Sequence, residues 1–120
     1  MTKKFKTPGE YNAAHKKVGS NNHPMNMFAR NSKSGHPAYV YHKQGHNYLN
    51  IGITHDDEDG NNIKLHVNPE PNNKSAAYIK PQPEVGRDKN FKEKLPGWKF
   101  DESDIPDIEA VKKKQPKKRK

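Results

Sequence analysis

Between residues 36 and 87 the chain carries His36, Tyr39, Tyr41, Lys43, His55, Lys64, His66, Tyr78 and Arg87, a set rich in side chains that move protons or bind anions. Such groups can deprotonate a 2′-hydroxyl, protonate a leaving oxygen and hold the charge of a phosphorane without a metal. His36, His55, His66 and Arg87 are the candidate catalytic residues for that chemistry. The tyrosines and lysines equally suit binding without turnover, because tyrosines on a sheet face stack bases while lysines follow a phosphate backbone. Tyr39, Tyr41, Lys43, Tyr48, Lys64 and Tyr78 are the candidates for that contact. No acid–base pair has a spacing that fixes its geometry, so the sequence favours binding over cleavage. The plain reading beside both is that the tyrosines extend a small core and the histidines solvate loops.

Metal chemistry finds less support. The chain has no cysteine, which excludes thiolate-ligated zinc and iron–sulfur sites as well as any disulfide framework. His42 and His46 have a helix-like ligand spacing, but they flank a predicted turn and lack the neighbouring glutamate of an HExxH site. A three-histidine site from His42, His55 and His66 would have to assemble in space. The acidic run Asp56 to Asp59 before Gly60 is not a calcium loop, since His55 and His66 fall where its first and last carboxylates should stand. No metal and no cofactor are expected.

These residues need elements to position them. Ala38 to Lys43 and Tyr48 to Thr54 combine β-branched and aromatic residues in period-two alternation around a short turn, Gln44-Gly45-His46-Asn47, which predicts a β-hairpin. Leu49, Ile51 and Ile53 share its core face. If Val40 joins them, Tyr39, Tyr41 and Lys43 form an outer face open to nucleic acid. Ile63 to Val67 alternates as a third strand and Ser75 to Lys80 as a fourth, the latter stopped by Pro81-Gln82-Pro83. Asn68-Pro69-Glu70-Pro71 is a turn-rich connector. Thr7-Pro8-Gly9-Glu10 predicts a capped helix ending at Gly19, and Asp104 predicts a second, with Ile105, Ile108 and Val111 at helical spacing. Ser20 to Gly35, rich in Asn, Ser, His and Pro around a Met25-Asn26-Met27-Phe28-Ala29 island, predicts a loop with one helical turn. Phe91, Leu95, Trp98 and Phe100 are expected to cover the core.

Leu, Ile, Val and Phe supply only 18 of 120 residues, so the core must be small. The net charge of +9 is unevenly placed. KKKQPKKRK, residues 112 to 120, holds seven positive charges and no acid, while residues 101 to 111 hold five acids and no base. Lys112, Lys113, Lys114, Lys117, Lys118, Arg119 and Lys120 form an expected electrostatic arm for nucleic acid, an import signal in a nucleated host, or a dock for an acidic protein partner. No apolar run approaches a membrane span and MTKKFKTPGE lacks the apolar segment of a secretory signal, so a cytoplasmic location is expected.

The order HPAYVY, YLNIGITH, NPEP, SAAYIKP and LPGWKF resembles that of small proteins carried on bacterial mobile elements, over roughly residues 36 to 100. More loosely, a capped helix followed by a small antiparallel sheet with scattered His, Tyr, Lys and Arg resembles the barnase, colicin and RelE-like ribonuclease group. That resemblance implies an RNA-directed role and places no catalytic residue.

The sequence thus predicts an α+β fold: a flexible start over 1 to 6, one domain over 7 to 111 with a sheet of three or four antiparallel strands and a short helix at either end, and a disordered basic tail. The expected function is nucleic-acid binding, of RNA or single strands. The alternatives are a metal-independent, toxin-like ribonuclease and a non-catalytic protein-interaction module.

Overall fold

The computed structural model describes residues 22 to 116; the expected helix from Thr7, the flexible start and residues 117 to 120 lie outside them. The described chain is an α+β fold: an antiparallel sheet followed by one short C-terminal helix. Strands β1 (Asn22–Arg30), β2 (Pro37–Gln44) and β3 (Asn47–Thr54) form its centre. Five shorter elements complete it: β4 (Ile63–Lys64), β5 (Tyr78–Ile79), β6 (Glu84–Arg87), β7 (Glu93–Lys94) and α1 (Ile105–Lys112). The sheet order is β4-β5-β3-β2-β1-β7, and β6 also pairs with β3.

The hairpin forms where alternation predicted it. Its turn is Gly45-His46, with Gly45 at φ 61°, a left-handed value that glycine reaches without steric cost. The outer edge of β3 is shared: Asn47 to Asn50 pair with β6, Ile53 and Thr54 with β5. Pro81 to Pro83 lie at the switch, where a missing N–H removes no ladder bond. Among the described residues seven strands thus replace the expected three or four: β1, β6 and β7 were not expected, and β4 and β5 are two-residue pieces of longer predicted runs.

The largest correction is β1, which occupies the predicted loop. Asn and Pro are poor strand formers, but alternation places Phe28 on one face and Met25, Met27 and Ala29 on the other, and pairing with β2 overrides propensity. A second correction concerns faces. Tyr39 lies opposite Ile51 and Phe28, so it shares the isoleucine face, whereas Val40 lies opposite Asn50. Tyr41 is the extra residue of a β-bulge between the Val40–Asn50 and His42–Leu49 pairs, and it stays on Tyr39's side.

The main core therefore collects Phe28, Tyr39, Ile51, Ile53 and Ile79 beneath Ile108 and Val111 of α1, with Trp98 and Phe100 packed against it. A smaller core on the opposite face joins Ala29, Ala38 and Val40 to Phe91, whose ring passes so close to Gly86 that a Cβ there would sit 2.8 Å from Phe91 Cε2. Asp104 is fully buried, and its side chain does not cap α1 as expected. Its Oδ1 accepts from the His66 backbone N–H at 2.8 Å and the His66 ring at 2.7 Å, and its Oδ2 from the Val67 N–H at 3.2 Å. The expected cap chemistry belongs to Asp101, which accepts from Ser103 N at 3.0 Å in the preceding 3-10 turn. The Ser103 hydroxyl, donating to Asp101 Oδ2 at 2.6 Å, and this backbone N–H hold the Asp101 carboxyl below its ordinary range. Among the described residues no helix is long and apolar enough to cross a membrane.

Candidate functional site

Two of the expected catalytic residues, His36 and His55, line one cleft. His36 ends the loop between β1 and β2, and His55 follows β3, so the central strands bring together residues 19 positions apart. The cleft measures about 320 Å³ and also admits Arg30, Thr54, Asn68, Glu70 and Trp98 to its wall.

Each polar member is held locally. His55 Nδ1 lies 3.0 Å from the Ala76 carbonyl oxygen. A carbonyl can only accept, so Nδ1 carries the proton and Nε2 is the acceptor of the neutral ring. The His36 backbone is fixed by its N–H on Ser34 Oγ at 3.2 Å and its carbonyl on Asn31 N at 2.9 Å. Arg30 donates Nη1–H to the Gly35 carbonyl at 3.0 Å and Nε–H to Glu93 Oε2 at 3.3 Å; a guanidinium has five N–H groups, so donors remain for an anion. Glu70 Oε1 accepts from Asn73 Nδ2 at 2.8 Å, and the Glu70 N–H donates to Asn68 Oδ1 at 2.9 Å. Trp98 is half-buried, its ring centroid 6.0 Å from that of Phe28.

Two histidines, an arginine, a glutamate and a tryptophan thus line one cleft. That set can exchange protons with a ligand, neutralise a phosphate and stack a base.

The other candidates lie elsewhere. His66 is bound to Asp104 at the start of α1, and Arg87 ends β6. Among the described residues no three His, Asp or Glu side chains converge as metal ligands would, His42, His55 and His66 included. Tyr39 is only 7% exposed, with the Phe100 ring 5.0 Å away edge-on, so it has no face to offer a base. Tyr41 is half-buried, its ring stacked 6.3 Å from that of Tyr39, and burial pushes its phenol above the ordinary range. The expected Tyr39–Tyr41–Lys43 stacking face is thus mostly core, because the bulge keeps both tyrosines on the isoleucine side. Lys112, assigned by charge to the tail, is the last residue of α1; its Nζ lies 5.4 Å and 5.5 Å from the centroids of Tyr39 and Tyr41. Lys43 and Tyr48 pair across the hairpin, as do Lys64 and Tyr78 across β4 and β5. Lys113 and Lys114 are exposed.

Sequence reasoning missed Arg30, Glu70 and Trp98 as site residues. Arg30 sat in a predicted loop, Glu70 between two prolines of a connector and Trp98 among residues expected to cover the core. Comparison with protein families, with curated proteins and with solved structures finds no match to this chain.

Proposed function

We propose that the protein binds single-stranded RNA and cleaves it without a metal at the His36–His55 cleft. The observation that carries this reading is the convergence of His36, His55 and Arg30 on one cavity with Trp98 in its wall. In the proposed reaction His55 Nε2 takes the proton of a 2′-hydroxyl, and the 2′-oxygen attacks the adjacent phosphorus. The bond from phosphorus to the 5′-oxygen breaks, leaving a 2′,3′-cyclic phosphate. Protonated His36 donates its proton to the departing 5′-oxygen, and Arg30 balances the phosphorane charge. Trp98 supplies a flat apolar wall against which a neighbouring base stacks. Binding at a cleft in place of a tyrosine face keeps the RNA-directed role and moves its location. A cytoplasmic setting on a bacterial mobile element fits this reading.

The test is cleavage of a labelled RNA oligonucleotide in EDTA by the wild type, His55→Ala and His36→Ala. Removing a general acid or base should lower the rate by roughly 10²- to 10⁴-fold. Cleavage that EDTA abolishes, or that both variants retain in full, would remove the proposal.

A further inference from the structure

The cleft does not end at His36. His36, Pro37, Ile53 and Thr54 also line a narrow neighbouring groove, which shares Asn31, Ser34 and Glu84 with a wider hollow of about 560 Å³. That hollow shares Lys89 with a last depression beneath Tyr48. Shared wall residues set the four in one series, here called the furrow, which passes round the end of β2 and β3 from the Trp98 face of the sheet to its Phe91 face. Its far half is lined by Lys33, Arg87, Lys89, Lys92 and Lys94, with Glu84 and Asp88 as its carboxylates.

All five cations are exposed, and among the described residues none is held in an ion pair. Elsewhere the lysines and the arginine that touch carboxylates are Arg30 with Glu93, Lys80 with Glu58 and Lys112 with Glu109. Asp88 lies 3.5 Å from His46. Five cations against two carboxylates give these hollows a net positive charge, which an extended anion would neutralise. At the far end Tyr48 is half-buried, tilted against Phe91 at 5.6 Å, and lines the depression, as a stacking platform for a base does.

We infer that this furrow is a second RNA subsite: it seats the sugar–phosphate backbone of a single strand whose neighbouring nucleotide lies in the His36–His55 cleft. The inference rests on the RNA reading above and adds the path of the strand, a requirement for length and a second stacking residue. Lys89, Lys92 and Lys94 each neutralise a phosphate, and Tyr48 receives a base at the end of the path.

The experiment is fluorescence anisotropy with 2′-O-methyl RNA, which has no 2′-hydroxyl to react, as a dinucleotide and as a single-stranded dodecamer over a range of salt. Each phosphate contact contributes about 0.7 to the slope of log affinity against log salt for a single strand. The combined variant Lys89→Ala, Lys92→Ala, Lys94→Ala should lower the dodecamer slope by about 2. Tyr48→Leu, with the apolar contact to Phe91 kept, should weaken dodecamer binding about tenfold with little change in slope, stacking being worth about 1–3 kcal/mol. The wild-type dinucleotide should show a smaller slope than the dodecamer. An unchanged dodecamer slope in the triple variant would overturn the furrow and leave the cleft reading standing. Wild-type protein that binds neither RNA would overturn the RNA reading and the furrow with it. Equal binding of a poly-glutamate dodecamer, with the same loss in the triple variant, would reassign the furrow to an acidic protein.

Discussion

Tyr41 shows how one residue's placement changes its chemistry. As the extra residue of a bulge it turns inward beside Tyr39, and burial raises the pKa of its phenol. The folded value then lies above the unfolded one of about 10, so on alkaline titration the unfolded chain loses its proton first. Its contribution to stability is full below about pH 10 and is lost as pH rises through the raised folded value. Tyr41→Phe has no proton to lose. Urea melts across pH 8 to 11 should give a constant stability difference between the two proteins below about pH 9 and a shift in favour of the variant above about 10. At this scale the sequence was legible by residue type more than by position. His36 and His55 stood out because imidazoles are acid–base groups wherever they fall. Arg30, Glu70 and Trp98 gave no such signal, since an arginine, a glutamate and a tryptophan usually serve salt bridges and core, and only the fold brings them to one cleft.

Asp104 belongs to the scale of elements, because its carboxylate ties the start of α1 to the segment after β4. It is fully buried and receives the N–H groups of His66 and Val67 together with the His66 ring. Asp104→Ala would leave two backbone donors without their acceptor, a loss of about 2–3 kcal/mol that urea denaturation would read as a lower midpoint with an unchanged slope. His66→Ala, which keeps both backbone bonds, should cost less than half as much; equal losses would show that the ring carries the tie. The alternation of β2 and β3 and the 105, 108, 111 spacing of α1 were plain in the sequence because each element carries its own hydrophobic period. β1 was not, since Asn22 to Arg30 becomes a strand through its partner β2, and neither were β6 and β7, too short to show a period. The face error had one cause: a bulge at Tyr41 shifts the alternation by one, and a single inserted residue leaves no mark in the pattern.

For the whole molecule, a sheet with few large apolar residues is closed on one face by α1, Trp98 and Phe100 and on the other by Phe91. The His36–His55 cleft and the five exposed cations lie along one series of adjoining hollows. The central claim, metal-independent RNA cleavage by attack of a 2′-hydroxyl at the cleft, meets its most direct test with one chimeric substrate. A DNA oligonucleotide carrying a single ribonucleotide, incubated in EDTA and resolved on a sequencing gel, should be cut only on the 3′ side of that ribonucleotide, leaving a 2′,3′-cyclic phosphate. The all-DNA strand should remain intact. Cutting of the all-DNA strand, or no cutting of the chimera while all-RNA strands of every sequence also survive, would contradict the account.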